Sequence, residues 1–101
     1  MQIQDIEEMR RRNGIDDPEL RDQIRALRRG DVIRITLLAE APSTASETLR
    51  VRITSVRSGL FRGKLASRPT SAGFAVLGAG SPVVFTAAHI HSVTSRGLGD
   101  R

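Results

Sequence analysis

The chain has no cysteine, no tryptophan and no tyrosine, and only three phenylalanines. Without thiols there can be neither a disulfide framework nor a thiolate metal site. Two recognition modes lose their usual chemistry without exposed Trp or Tyr: stacking of single-stranded bases, and docking of proline-rich peptides in an aromatic groove. Phe61, Phe74 and Phe85 are expected in the core. No apolar run nears the ~20 residues that a membrane-spanning helix requires. The opening residues, MQIQDIEEMRRR, place Asp5, Glu7 and Glu8 ahead of the arginines with no apolar segment, unlike a signal peptide. A soluble cytoplasmic protein with no membrane association is the resulting expectation.

Groups that do chemistry are also scarce. His89 and His91 are the only imidazoles. Two residues apart, they would share one side of a strand, but no motif fixes a third metal ligand among Asp31, Glu40, Glu47 and Asp100. His89 is expected to hydrogen-bond near a closing turn, and His91 to be solvated. Beyond residue 31 only Glu40, Glu47 and Asp100 are acidic, so paired carboxylates for acid–base catalysis are not expected. Gly73, Gly78 and Gly80 in SAGFAVLGAGSP lack the spacing and the lysine of a phosphate loop, and read as turns. No catalytic residue, metal, cofactor or small-molecule substrate is implied, and a non-enzymatic protein is expected.

Positive charge, by contrast, is plentiful and unevenly placed. Residues 1–31 hold seven Arg against eight Asp or Glu, a net of −1. Residues 32–101 hold nine Lys or Arg against three acids, a net of +6, which together give the +5 of the chain. The later part therefore allows an anionic partner. Arginine accounts for fifteen of the sixteen cations, a bias that genomic base composition also produces.

With 101 residues, one small domain is expected. Ile3, Ile6 and Met9 fall on one stripe of a short helix over 2–12, which Asn13-Gly14 ends. A second helix is expected over 17–29, capped by Asp16 with Glu19 as its capping-box partner and Pro18 in the first turn. Its apolar stripe is Leu20, Ile24 and Leu27, and Gly30 terminates it. Past Gly30 the period becomes two. Ile33, Ile35 and Leu37 share one face of a strand over 31–38, with Arg34 and Thr36 on the other. A polar loop over 39–47 leads to a strand over 48–56, with Leu49, Val51 and Ile53 inward and Arg50, Arg52 and Thr54 outward. Ser58-Gly59 turns the chain into a strand over 60–66, with Phe61 and Leu65 inward and Arg62 and Lys64 outward. Gly63 lies on the inner face, where a missing side chain permits a bend or bulge. After a loop over 67–81, with a short ordered piece at 74–77, residues 82–86 form a strand and 87–89 a single helical turn. Residues 90–93 form a last short strand.

The order implies an α+β fold: N-terminal helices, then a small antiparallel SH3-like β-barrel of about five strands. The expected divisions are a helical segment over 1–29, a barrel over 30–94 and a flexible tail over 95–101. The succession Gly30-Asp31-Val32, Leu49-Arg50-Val51, Phe61-Arg62-Gly63-Lys64-Leu65 and Val83-Val84-Phe85, then His89-Ile90, resembles the YegJ-like bacterial domain family of unknown function. The likeness covers roughly residues 28–93. Leu49 and Arg50 stand where that pattern has an aromatic, and Gly80-Ser81 where it has a second glycine-aspartate turn. The resemblance implies a small β-rich domain and assigns no chemistry.

Two functional expectations follow. The leading one is an interaction module, binding a protein partner or assembling with itself through Ile3, Ile6, Met9, Leu20, Ile24 and Leu27, as an adaptor in a bacterial or phage-like assembly would. The alternative is binding of nucleic-acid backbone through Arg50, Arg52, Arg62 and Lys64, which would share one face if the strands over 48–56 and 60–66 pair. A solvated basic face and plain capping of the barrel are the structural readings of the same two residue sets.

Overall fold

The computed structural model of the protein describes residues 2–40 and 43–95. The expected tail, from residue 96 on, and Pro42 of the polar loop lie outside these. Two helices, α1 (Ile6–Arg12) and α2 (Pro18–Arg25), accompany six antiparallel strands: β1 (Gln2–Ile3), β2 (Val32–Leu38), β3 (Ser46–Arg57), β4 (Leu60–Leu65), β5 (Pro82–Thr86) and β6 (Ser92–Ser95). Neighbours run β1-β2-β3-β4-β5, with β6 on β2. Since β1 contributes only two residues, five strands make the wall of a nearly closed, barrel-like sheet.

The N-terminal segment departs from the helix expected over 2–12. Residues 2 and 3 are a strand, with Gln2 opposite Leu38 and Ile3 opposite Leu37. Pairing there satisfies the end of a strand edge that would otherwise stay open. Asp5 then caps α1, accepting from the Glu8 N–H at 2.8 Å. Glu7 and Glu8 lie in the first turn and Arg10, Arg11 and Arg12 in the last, matching the helix dipole. Gly14 (φ +68°) ends the helix: its N–H donates to the Arg11 carbonyl, and Ile15 N–H to that of Arg10.

The cap of α2 is Asp17, not Asp16; its carboxylate accepts from Leu20 N–H at 3.0 Å. Asp16 instead pairs with Arg21. The helix also ends at Arg25, four residues before the expected boundary. Asp31 explains the early stop. Its carboxylate, 1 % exposed, accepts from Arg28 N–H at 3.1 Å, and its own N–H donates to the Arg28 carbonyl. A side chain that captures a backbone N–H competes with the helix ladder. Leu27 is thereby released into the barrel core.

The sheet follows the alternating pattern closely. Ile33, Ile35 and Leu37 of β2, Leu49, Val51 and Ile53 of β3, and Phe61 and Leu65 of β4 all point inward and are buried. Phe85 and Ile90 join them, and Phe74, after a 3-10 turn at Ala72–Phe74, is fully buried. Phe61 and Phe85 stack with centroids 5.4 Å apart. The β3–β4 turn has φ +52° at Ser58 and +81° at Gly59, the paired positive values that a tight two-residue hairpin requires. β3 approaches β4 closely at Gly63: a Cβ there would lie 2.5 Å from Val51 Cγ1 and 2.6 Å from the Arg52 carbonyl oxygen. Next to it the register passes from Ile53↔Gly63 to Ser55↔Arg62, leaving Thr54 as a bulge. A 3-10 turn over Ala87–His89 then carries the chain across the barrel end to β6. That strand begins two residues later than expected, because Ile90 turns into the core and His91 N–H bonds the Arg34 carbonyl instead of extending the ladder.

Candidate functional site

Strand pairing converts a one-dimensional alternation into a surface. Arg34 of β2 lies directly opposite Arg50 of β3, and Arg52 of β3 directly opposite Lys64 of β4. Arg62, on β4, faces Ser55 across the ladder to β3 and Val84 across the ladder to β5. The four cations predicted from the sequence, Arg50, Arg52, Arg62 and Lys64, are therefore brought together on one exposed outer face. Arg34 joins them, and so does Arg57 at the end of β3. Neither was singled out from the sequence. Arg34 alternates outward as plainly as the others, but only the β2–β3 register shows which cation it meets.

Among the described residues, no carboxylate shares this face. Of the two acids between residues 32 and 95, Glu47 has the inward phase of Leu49 and Val51 and sits at the barrel rim. It accepts from Thr70 N–H at 2.8 Å, Ser71 N–H at 2.9 Å and Thr70 Oγ1 at 3.0 Å, pinning the 66–81 loop. These donors, the Thr70 N–H first, hold its carboxyl below the ordinary glutamate value. Glu40 lies in the β2–β3 loop. Among the described residues, the cations of the sheet face form no ion pair. Arg34 donates to Ser92 Oγ and Arg52 to the Gly30 carbonyl, both at 3.3 Å. Such long bonds to neutral acceptors steady a guanidinium without neutralising it.

Two like-charged pairs held directly across a ladder destabilise a sheet, by roughly 0.2–1 kcal/mol each. A bound polyanion reverses the sign of that contribution. Between Arg50 and Arg57 the face extends about 23 Å at the usual strand rise, which spans about seven phosphates along one strand of a duplex.

The apolar set predicted for a partner is used differently. Ile6, Leu20 and Leu27 are buried, while Ile3 and Ile24 pack half-buried against the barrel core. Met9 is half-buried and accepts from Gln4 Nε2. These residues fasten α1 and α2 to the end of the barrel, beside the 3-10 turn at 87–89 and β6, so little of the stripe is left on the surface. What remains is a cleft between the helices in which Leu20, Ile24, Ala87 and Ile90 are ringed by charged side chains, among them Glu7, Arg10, Asp17 and Arg21, with Ile15 54 % exposed at its rim.

The two histidines serve the fold. His89 Nδ1 accepts from Thr86 N–H at 3.0 Å, holding the turn into the 3-10 segment. His91 is half-buried rather than solvated, with Nδ1 3.0 Å from Ser92 Oγ and its carbonyl accepting from Arg10. Partial burial, then Arg10 and Arg34, push its pKa below the ordinary 6.5. No three metal-ligating side chains converge among the described residues, and no helix there is long and apolar enough to cross a membrane. No family model, curated protein or solved structure matches the chain.

Proposed function

We propose that the protein is a non-enzymatic binding module, an SH3-like partly open barrel whose outer β2–β3–β4 face grips the phosphate backbone of duplex nucleic acid. The supporting observation is the pairing Arg34↔Arg50 and Arg52↔Lys64 on a face without a carboxylate among the described residues. A duplex is favoured over a single strand because all three phenylalanines are buried, leaving no aromatic ring on which bases could stack. Contacts of this kind position the protein without reading sequence. The test is duplex DNA and duplex RNA binding at two salt concentrations. Micromolar binding that weakens steeply with salt, and is lost in Arg50→Glu/Arg52→Glu, is expected; no binding at low salt removes the reading.

A second reading, protein binding or self-assembly in a bacterial or phage-like setting, is favoured by one observation, the exposed Ile15 beside the cleft of mixed character between α1 and α2. Sedimentation of Ile15→Asp against the parent chain checks it: a lighter species is expected if this cleft joins copies, and identical species exclude that role.

A further inference from the structure

At its far end, at the tip of the β3–β4 hairpin, the basic face holds a cleft lined by Ser55, Arg57, Ser58, Leu60 and Arg62. The register explains how these meet. Thr54 bulges, so Ser55 comes to face Arg62 and Arg57 to face Leu60, with Ser58 closing the end. Without the bulge, the alternation of β3 would carry Thr54, not Ser55, outward beside Arg62. The bulge therefore re-aims a hydroxyl and a guanidinium onto the outer side. The result is two guanidinium groups and two hydroxyls around one opening, with no acid among the lining residues.

None of these four polar side chains has a hydrogen bond or ion pair with another described residue, in contrast to Arg34 and Arg52. Ser58 adds a second observation. It adopts φ +52°, a conformation that glycine, asparagine and aspartate fill more readily in such turns. Aspartate would bring a negative charge into the cleft and glycine would bring no donor. Serine carries a backbone cost and leaves a neutral hydroxyl at the opening.

We infer that the hairpin-tip cleft is a phosphate subsite in which Arg57 and Arg62 share one backbone phosphate and Ser55 and Ser58 donate to its oxygens. This rests on the duplex-binding reading and deepens it. Arginine forks suit a phosphate's geometry, and hydroxyl donors add directional bonds that a diffuse positive surface does not need. The subsite also fixes orientation. The duplex contacts would start at the tip and continue along the hairpin past Arg52 and Lys64 to Arg50, where Arg34 of β2 lies opposite.

The probe is a short duplex DNA of mixed sequence, titrated across a salt series with the full chain and two variants. Arg57→Gln/Arg62→Gln should bind about tenfold more weakly. Its log–log salt slope should be shallower by about one, because one phosphate is released; two independent contacts would lower it by about two. Ser55→Ala/Ser58→Gly should lose about two- to fivefold in affinity at an unchanged slope, since hydroxyls displace no counterion. Circular dichroism checks that both variants keep the parent fold. Should the parent bind duplex DNA while the serine variant matches it, or the arginine variant's slope fall by two, the subsite is wrong and the basic-face reading stands. Should the parent bind neither duplex DNA nor duplex RNA at low salt, or bind only vesicles of anionic phospholipid, both fall together.

Discussion

Arginine has two fates in this molecule. In the two helices four of five are paired, Arg11 and Arg12 with Glu8, Arg21 with Asp16 and Arg25 with Asp22, while Arg10 donates to the His91 carbonyl. On the sheet face it meets other cations, Arg50 against Arg34 and Lys64 against Arg52. The helical pairs are exposed, and pairs of that kind contribute little to stability. They do cancel charge locally, so the helices present a mixed surface to an incoming polyanion. The sheet offers its charge uncancelled. Composition alone treats both sets as arginine; register and neighbours separate them.

The strongest way to break this contrast is to collapse the surface that holds the sheet cations together. Phe85 is 1 % exposed and stacked on Phe61. Phe85→Ala is expected to cost about 3–5 kcal/mol, a large share of a small domain's margin. Urea denaturation should register it, with duplex binding falling in parallel. Next comes Gly63→Ala. Its Cβ would overlap Val51 and the Arg52 carbonyl, one of them backbone that cannot rotate away. Overpacking of this type costs roughly 1–3 kcal/mol, and the lower urea midpoint should come with altered spacing between β3 and β4.

Substitution on the face itself sharpens the contrast because two measurements should move oppositely. Arg50→Glu places a carboxylate opposite Arg34. Stability should rise by about 0.2–1 kcal/mol, while duplex affinity falls. Acidification gives a subtler readout. His91 is held below 6.5 by partial burial and by Arg10 and Arg34, so the folded state prefers the imidazole neutral. The unfolded chain takes up the proton first as pH drops, so this site's contribution is intact above 6.5 and is lost as pH falls through the lower folded value. Urea midpoints at pH 7.5 and 5 should differ, and His91→Asn should narrow the difference. The smallest effect is expected at Glu8, which pairs with Arg11 and Arg12 on the surface. Glu8→Gln should change stability by no more than about 0.5 kcal/mol and leave duplex binding unchanged.

Much of the sheet was legible because period two is a local property. Val51 and Arg50 differ by one step, and the pleat alone sends them to opposite faces. The Ser58-Gly59 turn was legible from its residue types, and Gly63 as a place for a bend or bulge; that a Cβ there would meet Val51 and the Arg52 carbonyl needed the β3–β4 pairing. What escaped was decided by partners distant in sequence. Ile3 became a strand because Leu37 offered it an edge. The second helix stopped at Arg25 because Asp31 captured the Arg28 N–H and Leu27 was needed inside. Leu20 and Ile24 looked free for a partner because nothing local reveals that β6 and the 3-10 turn at 87–89 pack beside them. The cationic face was half legible: alternation placed Arg50, Arg52, Arg62 and Lys64 outward, but the bulge at Thr54 and the opposition of Arg34 to Arg50 depend on register, which no short stretch encodes.

Two double charge reversals separate geometry from total charge. Arg50→Glu/Arg52→Glu alters the sheet and Arg11→Glu/Arg25→Glu the helices, and each takes the formal net charge from +5 to +1. Measured side by side for duplex DNA affinity at low salt, the sheet variant is predicted to lose at least about tenfold while the helix variant stays within about threefold of the parent. Equal losses in the two would contradict a dedicated phosphate-binding face and leave only a diffusely basic protein.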